Sequence, residues 1–211
     1  MTPRARHMCM TYQGKSISLL PRIAPLLIER LEKNDRVLFM GPPGMIEGIE
    51  NYLNYVGFKP EQEIKKGTLI LTSDRKHLKK GHFEAEEMLK LLSDAVDKAL
   101  KDGFRGLWAS GDMTWELGDH GSLKKLLEYE WGLEKLLQRK PALSGVWQYH
   151  ESTLPLHIMG DALLTKPANY LNHTLHRVNP FYIPSETLDD PFLPPTERKD
   201  VQQMMKHIEE T

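Results

Sequence analysis

The sequence predicts an α/β fold: a three-layer α/β/α domain with a mostly parallel central sheet, followed by a C-terminal extended arm and helix. Two observations lead there. Short apolar runs alternate with longer amphipathic segments over the first 150 residues, the order expected when each helix crosses back over a parallel sheet. Where a segment carries helical periodicity, a glycine marks its end, as at Gly57 and Gly103, the position a helix C-terminus favours.

Taken in order, the strand candidates are HMCMTY (7–12), RVLFM (36–40), TLILTS (68–73), RGLWASG (105–111) and SGVWQY (144–149). Each is a short apolar run of the kind that becomes a buried strand. Between them lie four helix candidates. IAPLLIERLEKND places Ile23, Leu27 and Leu31 on one face, and MIEGIENYLNYVG does so with Ile46, Ile49, Leu53 and Val56. FEAEEMLKLLSDAVDKALKDG aligns Met88, Leu91, Leu92, Ala95 and Ala99. SLKKLLEYEWGLEKLLQRKP, from Ser122 to Pro141, carries a stripe of Leu123, Leu126, Leu127, Leu133 and Leu137. Crossovers joining such units are right-handed.

Beyond residue 176 the texture changes. Pro180, Pro184, Pro191, Pro194 and Pro195 forbid a long helix. TERKDVQQMMKHIEE then reads as a helix capped by Thr196, with Val201, Met204, Met205 and Ile208 on one stripe. The expected division is a domain over 1–185 and an arm with helix over 186–211, packed on the domain or on a second copy.

The totals exclude several functional classes. A net charge of −1 argues against a nucleic-acid partner held by bulk electrostatics. A single cysteine, Cys9, leaves no internal disulfide framework and no multi-cysteine zinc site. No apolar stretch of leader length follows Arg4 and Arg6, and no apolar run approaches the ~20 residues needed to span a bilayer, so neither a secretory leader nor a membrane span is expected. The expectation is a soluble cytoplasmic protein with no cofactor, no nucleic acid and no membrane partner.

Four places could carry chemistry. Gly14-Lys15-Ser16 ends like a phosphate-binding loop, whose lysine reaches the outer phosphates and whose serine holds magnesium. Cys9 stands where its first glycine belongs, and Pro21 and Pro25 are expected to disrupt the helix that should follow. His7 and Cys9, two apart on a strand, share a face and could line a pocket, bind a metal with other ligands, act as a thiol sensor, or simply be core. In GLWASGDMTWELGDHG, Asp112 ends an apolar strand, where parallel-sheet folds bind ligands, with Trp115 as a wall; alternatively Asp112 caps the next turn. Glu130 and Glu134 fall on the apolar stripe of the fourth helix. A carboxylate there must be paired or protonated, by a ligand or by a structural cation such as Arg105 or Arg36. Gln148 on a buried strand likewise needs partners for its amide. Trp147 and Tyr149 face one side of that strand, Gln148 and His150 the other. His173 and His176, one helical step apart, show no third ligand.

Several of these pieces occur together in one order: HMCMTY, RVLFM, GLWASGDMTW, LLEYEWGLEKLL, WQYHES and NPFYIP. Over roughly residues 5 to 185 the chain resembles the MEDS family, the sensory domain named for methanogens, methylotrophs and the dichloromethane regulator. The motifs are H-x-C-x-x-Y at His7, Cys9 and Tyr12; G-D-M-x-W at Gly111, Asp112, Met113 and Trp115; L-x-x-Y-E at Leu126, Tyr129 and Glu130; and Q-Y at Gln148 and Tyr149. The resemblance implies a RecA-like domain without a working phosphate loop that senses small hydrocarbon derivatives in prokaryotic signalling proteins. Many such domains are fused to a DNA-binding or histidine-kinase module, and no such module is visible here. Output through a homodimer or a separate signalling partner, a kinase or transcription regulator, is therefore expected, unless the chain is a stand-alone member with another use.

The combined expectation is a non-catalytic sensor. Tyr12, Trp115 and Tyr149 form apolar walls around a small-molecule ligand, and His7, Cys9, Asp112, Glu130 and Gln148 supply polar contacts. The alternatives are a degenerate nucleotide-binding protein or ATPase using Lys15, Ser16 and Asp112, and a metal or redox sensor at His7 and Cys9.

Overall fold

Seven strands form one sheet in the order β3-β2-β4-β5-β1-β6-β7. They are β1 (His7–Tyr12), β2 (Arg36–Met40), β3 (Leu69–Thr72), β4 (Leu107–Asp112), β5 (Leu143–His150), β6 (Ala168–Leu171) and β7 (Thr174–His176). All neighbours pair in parallel except β6 with β7. The computed structural model describes residues 6–73, 83–114, 123–171, 174–184 and 198–210. All five predicted strands are present. The central ones are buried on both faces, which is why they read as unbroken apolar runs.

Helices cover both faces. On one lie α1 (Leu20–Glu32) and α2 (Pro43–Tyr55). They pack Ile23, Leu27, Ile49 and Leu53, with Leu19 from the turn before α1, against Met10, Val37, Phe39, Trp108 and Val146 of the sheet. Helix α3 (Pro60–Lys66) leads into the edge strand β3. On the other face lie α4 (Ala85–Lys101), α5 (Leu123–Arg139), α6 (Leu156–Leu164) and α7 (Arg198–Glu210). Their Leu92, Val96, Leu133, Ala162 and Val201 meet Cys9, Leu38, Ala109, Trp147 and Tyr149. Alternation along each strand thus separates two cores, one on each face of the sheet.

Two expectations need correction. Pro21 and Pro25 do not disrupt the first helix. Pro21 occupies its first turn, where no intrahelical donor is lost, and Pro25 faces solvent. His176 is not on a helix; it lies on β7, while His173 falls outside the described residues. Helices α3 and α6 and the β6–β7 hairpin were not anticipated. The C-terminal helix packs on the domain: Val201 and Ile208 are fully buried, mainly against α6.

Candidate functional site

Glu130 is the centre of the α5–α6 face. It projects from α5 at 2% exposure, because the apolar stripe of that helix faces the sheet and carries the carboxylate with it. The cation that meets it is Lys166, itself 0% exposed. Neither Arg36 nor Arg105 does so. Arg36 binds Asp102 at 2.7 Å, and Arg105 lies 3.5 Å from Asp35. Lys166 follows the end of α6 and donates to Glu130 Oε2 and, at 2.9 Å, to Thr165 Oγ1. Tyr149 O–H, from β5, donates to Glu130 Oε1. Burial and the Glu130 charge hold the Tyr149 phenol well above its usual range, so it remains a donor.

The cluster extends to Glu134, one turn along α5. His7 Nδ1 lies 3.2 Å from Glu134 Oε2, and Tyr182 O–H donates to Glu134 Oε1. Burial pushes the Glu134 carboxyl upward, but the His7 and Tyr182 donors and the Lys166 charge leave it below its ordinary value. Glu134 is therefore an anion, and the His7 proton sits on Nδ1. Burial, reinforced by Lys166, lowers the His7 pKa. Its Nε2 is then a bare lone pair, 4.0 Å from Glu130 Oε2 and without a hydrogen-bond partner. Trp147 packs edge-on against His7 at 4.8 Å and donates to the Tyr129 hydroxyl at 2.9 Å. Asp161 of α6 is 4% exposed, has an unpartnered Oδ1, and is pushed up to about 6 by burial and by Glu130.

The stretch that leads into the arm, residues 177–184 after β7, closes this cluster, while residues 185–197, with the expected Thr196 cap, lie outside the described residues. Asn179 Nδ2 donates to Leu163 O and Lys166 O at 2.6 and 2.7 Å, tying the segment after β7 to the end of α6 and the residues that follow it. Tyr182 reaches Glu134, and Phe181 meets His207 of α7 at 5.6 Å. This stretch therefore touches both the buried charges and the terminal helix.

The expected site residues divide between the two faces. His7, Cys9, Glu130 and Tyr149 come together on the α5–α6 face, with Lys166 and Glu134 added. Tyr12, Asp112 and Gln148 lie on the α1–α2 face, as the register of Met10 with Gln148 and of Gln148 with Asp112 requires. There Tyr12 O–H donates to Asp112 Oδ2 at 2.7 Å, Thr114 N–H donates to Asp112 Oδ1 at 3.0 Å, and Gln148 Nε2 donates to Ser110 Oγ at 2.9 Å. Asp112 therefore does cap the following turn, and one shared pocket containing Asp112, Gln148 and Glu130 does not form. Trp115 lies outside the described residues.

Residues 6–167 match the family described as MEDS: MEthanogen/methylotroph, DcmR Sensory domain. The chain belongs to the MEDS family. No curated protein matches it. Among solved structures it is similar to a KaiC-like protein from the hyperthermophilic archaeon Pyrococcus horikoshii OT3, with a TM-score of 0.55 and 12% identity. That match covers 82% of this chain and 76% of the other. It supports the RecA-like fold.

In this MEDS domain the segment after β1 is short. Gln13, Gly14 and Lys15 are exposed, and a 3-10 turn begins at Ser16. Gly14 has φ +73°, and its carbonyl is fixed at 2.8 Å from His150 Nε2. Lys15 and Ser16 thus follow a single glycine, where a phosphate loop uses several successive N–H groups. Cys9 is 0% exposed, and burial pushes its thiol up to about 12, far from the depressed values of reactive thiols. Among the described residues no group of three or more His, Cys, Asp or Glu side chains is placed to hold a metal, and no helix is long and apolar enough to cross a membrane. Lys166 is the functional candidate that sequence reasoning missed. Its signal was present: between residues 158 and 171 the only charged side chains are Asp161 and Lys166.

Proposed function

We propose that this MEDS domain is a non-catalytic sensor that binds a small hydrocarbon derivative on the α5–α6 face and passes the signal through the arm and α7 to a partner protein or a second copy. The sensory role is the family's; the ligand, its seat and the output are our reading. One observation carries it. In a cluster where Glu130, Glu134, Lys166 and Tyr149 all have partners, the inward nitrogen of His7 has none, and buried polar atoms without partners call for an occupant. The surroundings suit a weakly polar molecule, since Trp147, Met159, Ala162 and Leu163 supply apolar surface.

Ligand binding signals only if it favours one arrangement of the arm over another. Tyr182 on Glu134 and Phe181 on His207 supply the contacts that would differ. The test is calorimetric titration with halogenated and oxygenated one- to six-carbon compounds against the wild type and His7→Leu. The expected outcome is saturable binding without turnover, about tenfold weaker in His7→Leu, the loss of one buried hydrogen bond. Binding of equal strength in both proteins would remove His7 from the site, and formation of product would overturn the non-catalytic reading.

A further inference from the structure

Several of the unpartnered buried atoms lie close together, apart from those of Arg30, Trp108, Trp131 and Gln148. Among the described residues, Thr11 Oγ1, both amide atoms of Asn169 and His176 Nε2 have no hydrogen-bond partner, and all lie on one patch of sheet. The register shows why. Cys9 pairs with Asn169 across β1 and β6, and Asn169 pairs with His176 across β6 and β7. Directly paired residues point to the same face with Cβ atoms about 5 Å apart. Thr11 and His7 flank Cys9 two residues either way along β1, on the same face. The row therefore runs His7, Cys9, Thr11 down one strand and Cys9, Asn169, His176 across three, continuous with the Glu130 cluster.

Asn169 is the sharpest of these. It is 0% exposed, and neither its N–H2 group nor its carbonyl meets a protein partner. A leucine of similar size would fill the same space without an amide to satisfy. The sheet backbone does not need asparagine there either, since asparagine is depleted in strands.

The chemistry of the patch is neutral. Cys9 is held as a thiol by burial, Lys166 is already bound to Glu130 and Thr165, and Asn169 and Thr11 carry no charge. An anion would find the Lys166 ammonium already committed, and a buried unpaired charge is strongly disfavoured. What the row offers is an amide donor and an amide acceptor side by side, with a hydroxyl and an imidazole nitrogen beside them. We propose that Asn169, flanked by Thr11 and His176, forms the polar floor of a seat for a small uncharged carbonyl compound bearing an adjacent N–H or O–H, as in a carboxamide or an α-hydroxy ketone. This rests on the sensor reading and narrows it, naming the ligand chemistry and placing it over β1 and β6.

The test uses the whole chain and four three-carbon probes: propionamide, hydroxyacetone, propionate and propylammonium. Propionamide or hydroxyacetone raises the thermal midpoint progressively as its concentration increases, as a ligand bound only by the folded form must; the two ions do not. Asn169→Leu abolishes that rise, while its own midpoint without probe equals or exceeds the wild type's. In the wild-type chain the Asn169 side-chain amide resonances move on addition of the neutral probes alone, a readout that survives if Asn169→Leu does not fold.

The proposal is overturned if the ions stabilise as well as the neutral probes, if Asn169→Leu keeps the rise, or if probe-soaked crystals show only ordered water on the Asn169 amide. Should all four probes fail while halogenated hydrocarbons bind and His7→Leu weakens them, this inference falls and the sensor reading stands. Should nothing bind in either series, both fall.

Discussion

The two faces of the sheet handle buried polarity in different ways. On the α1–α2 face, polar groups pair locally, Tyr12 with Asp112 and Gln148 with Ser110, although Gln148 Oε1 and Trp108 Nε1 have no partner. On the α5–α6 face, a carboxylate and an ammonium, both almost fully enclosed, are joined by a histidine, two tyrosines and a second carboxylate, the six drawn from five segments. A fold does not need such an arrangement. Apolar residues of matched volume are often as stable as a buried ion pair or more so. That difference is why the proposed seat is placed on the second face, although both faces carry motifs of the same family.

The largest effect should come from splitting the ion pair. Lys166→Met leaves Glu130 buried without its cation and should destabilise the domain by about 3–5 kcal/mol in urea titrations. The double variant Glu130→Gln, Lys166→Met should recover most of that loss. A double variant no better than the single would mean that the charges act independently. Next comes the terminal helix. Ile208→Ala should lower stability by about 2–4 kcal/mol through the cavity it leaves, and an effect near zero would show that α7 only rests on the domain.

On the quieter face, Tyr12→Phe removes a hydrogen bond to the Asp112 carboxylate and should lower stability by about 1.5 kcal/mol. A loss equal to that of Lys166→Met would erase the distinction between the faces. The smallest effect concerns pH. Asp161 has a folded pKa of about 6, raised from 3.8. Between those values the folded state holds a proton that the unfolded state has released, so stability falls as pH rises through that window. Asp161→Asn should remove that slope. His7, whose pKa is lowered, acts oppositely: the unfolded state takes up its proton first, so its contribution is lost as pH falls below about 6.5. In Asp161→Asn the His7 slope should therefore stand alone.

Much of this was legible in the residues. The runs at 7–12 and 36–40 became strands with the same limits, because parallel strands buried on both faces need continuous apolar sequence. Glu130 announced itself by lying on a leucine stripe. The grouping of site residues was only half readable, and the reason is parity. Cys9 and Tyr12 are three apart on one strand, so they face opposite ways, and Gln148 alternates with Trp147 and Tyr149. Alternation alone should have separated Tyr12 and Gln148 from Glu130; family motifs held them together instead. Helix α6 and the β6–β7 hairpin went unread because their signals are short. Strands of four and three residues have too little length for periodicity, and β6 exists by virtue of its pairing with β1. With that segment went Lys166, and so the identity of the cation facing Glu130.

The matched family segment ends at residue 167, one position before β6 begins. The strand carrying Asn169, the tyrosine that reaches Glu134, and the helix that buries Val201 and Ile208 all follow it. A gene fragment or chimera trimmed to that limit would strip β1 of one neighbour and lay open the flank of its own ion pair. Grafting this module onto a reporter therefore calls for carrying the polypeptide through Glu210.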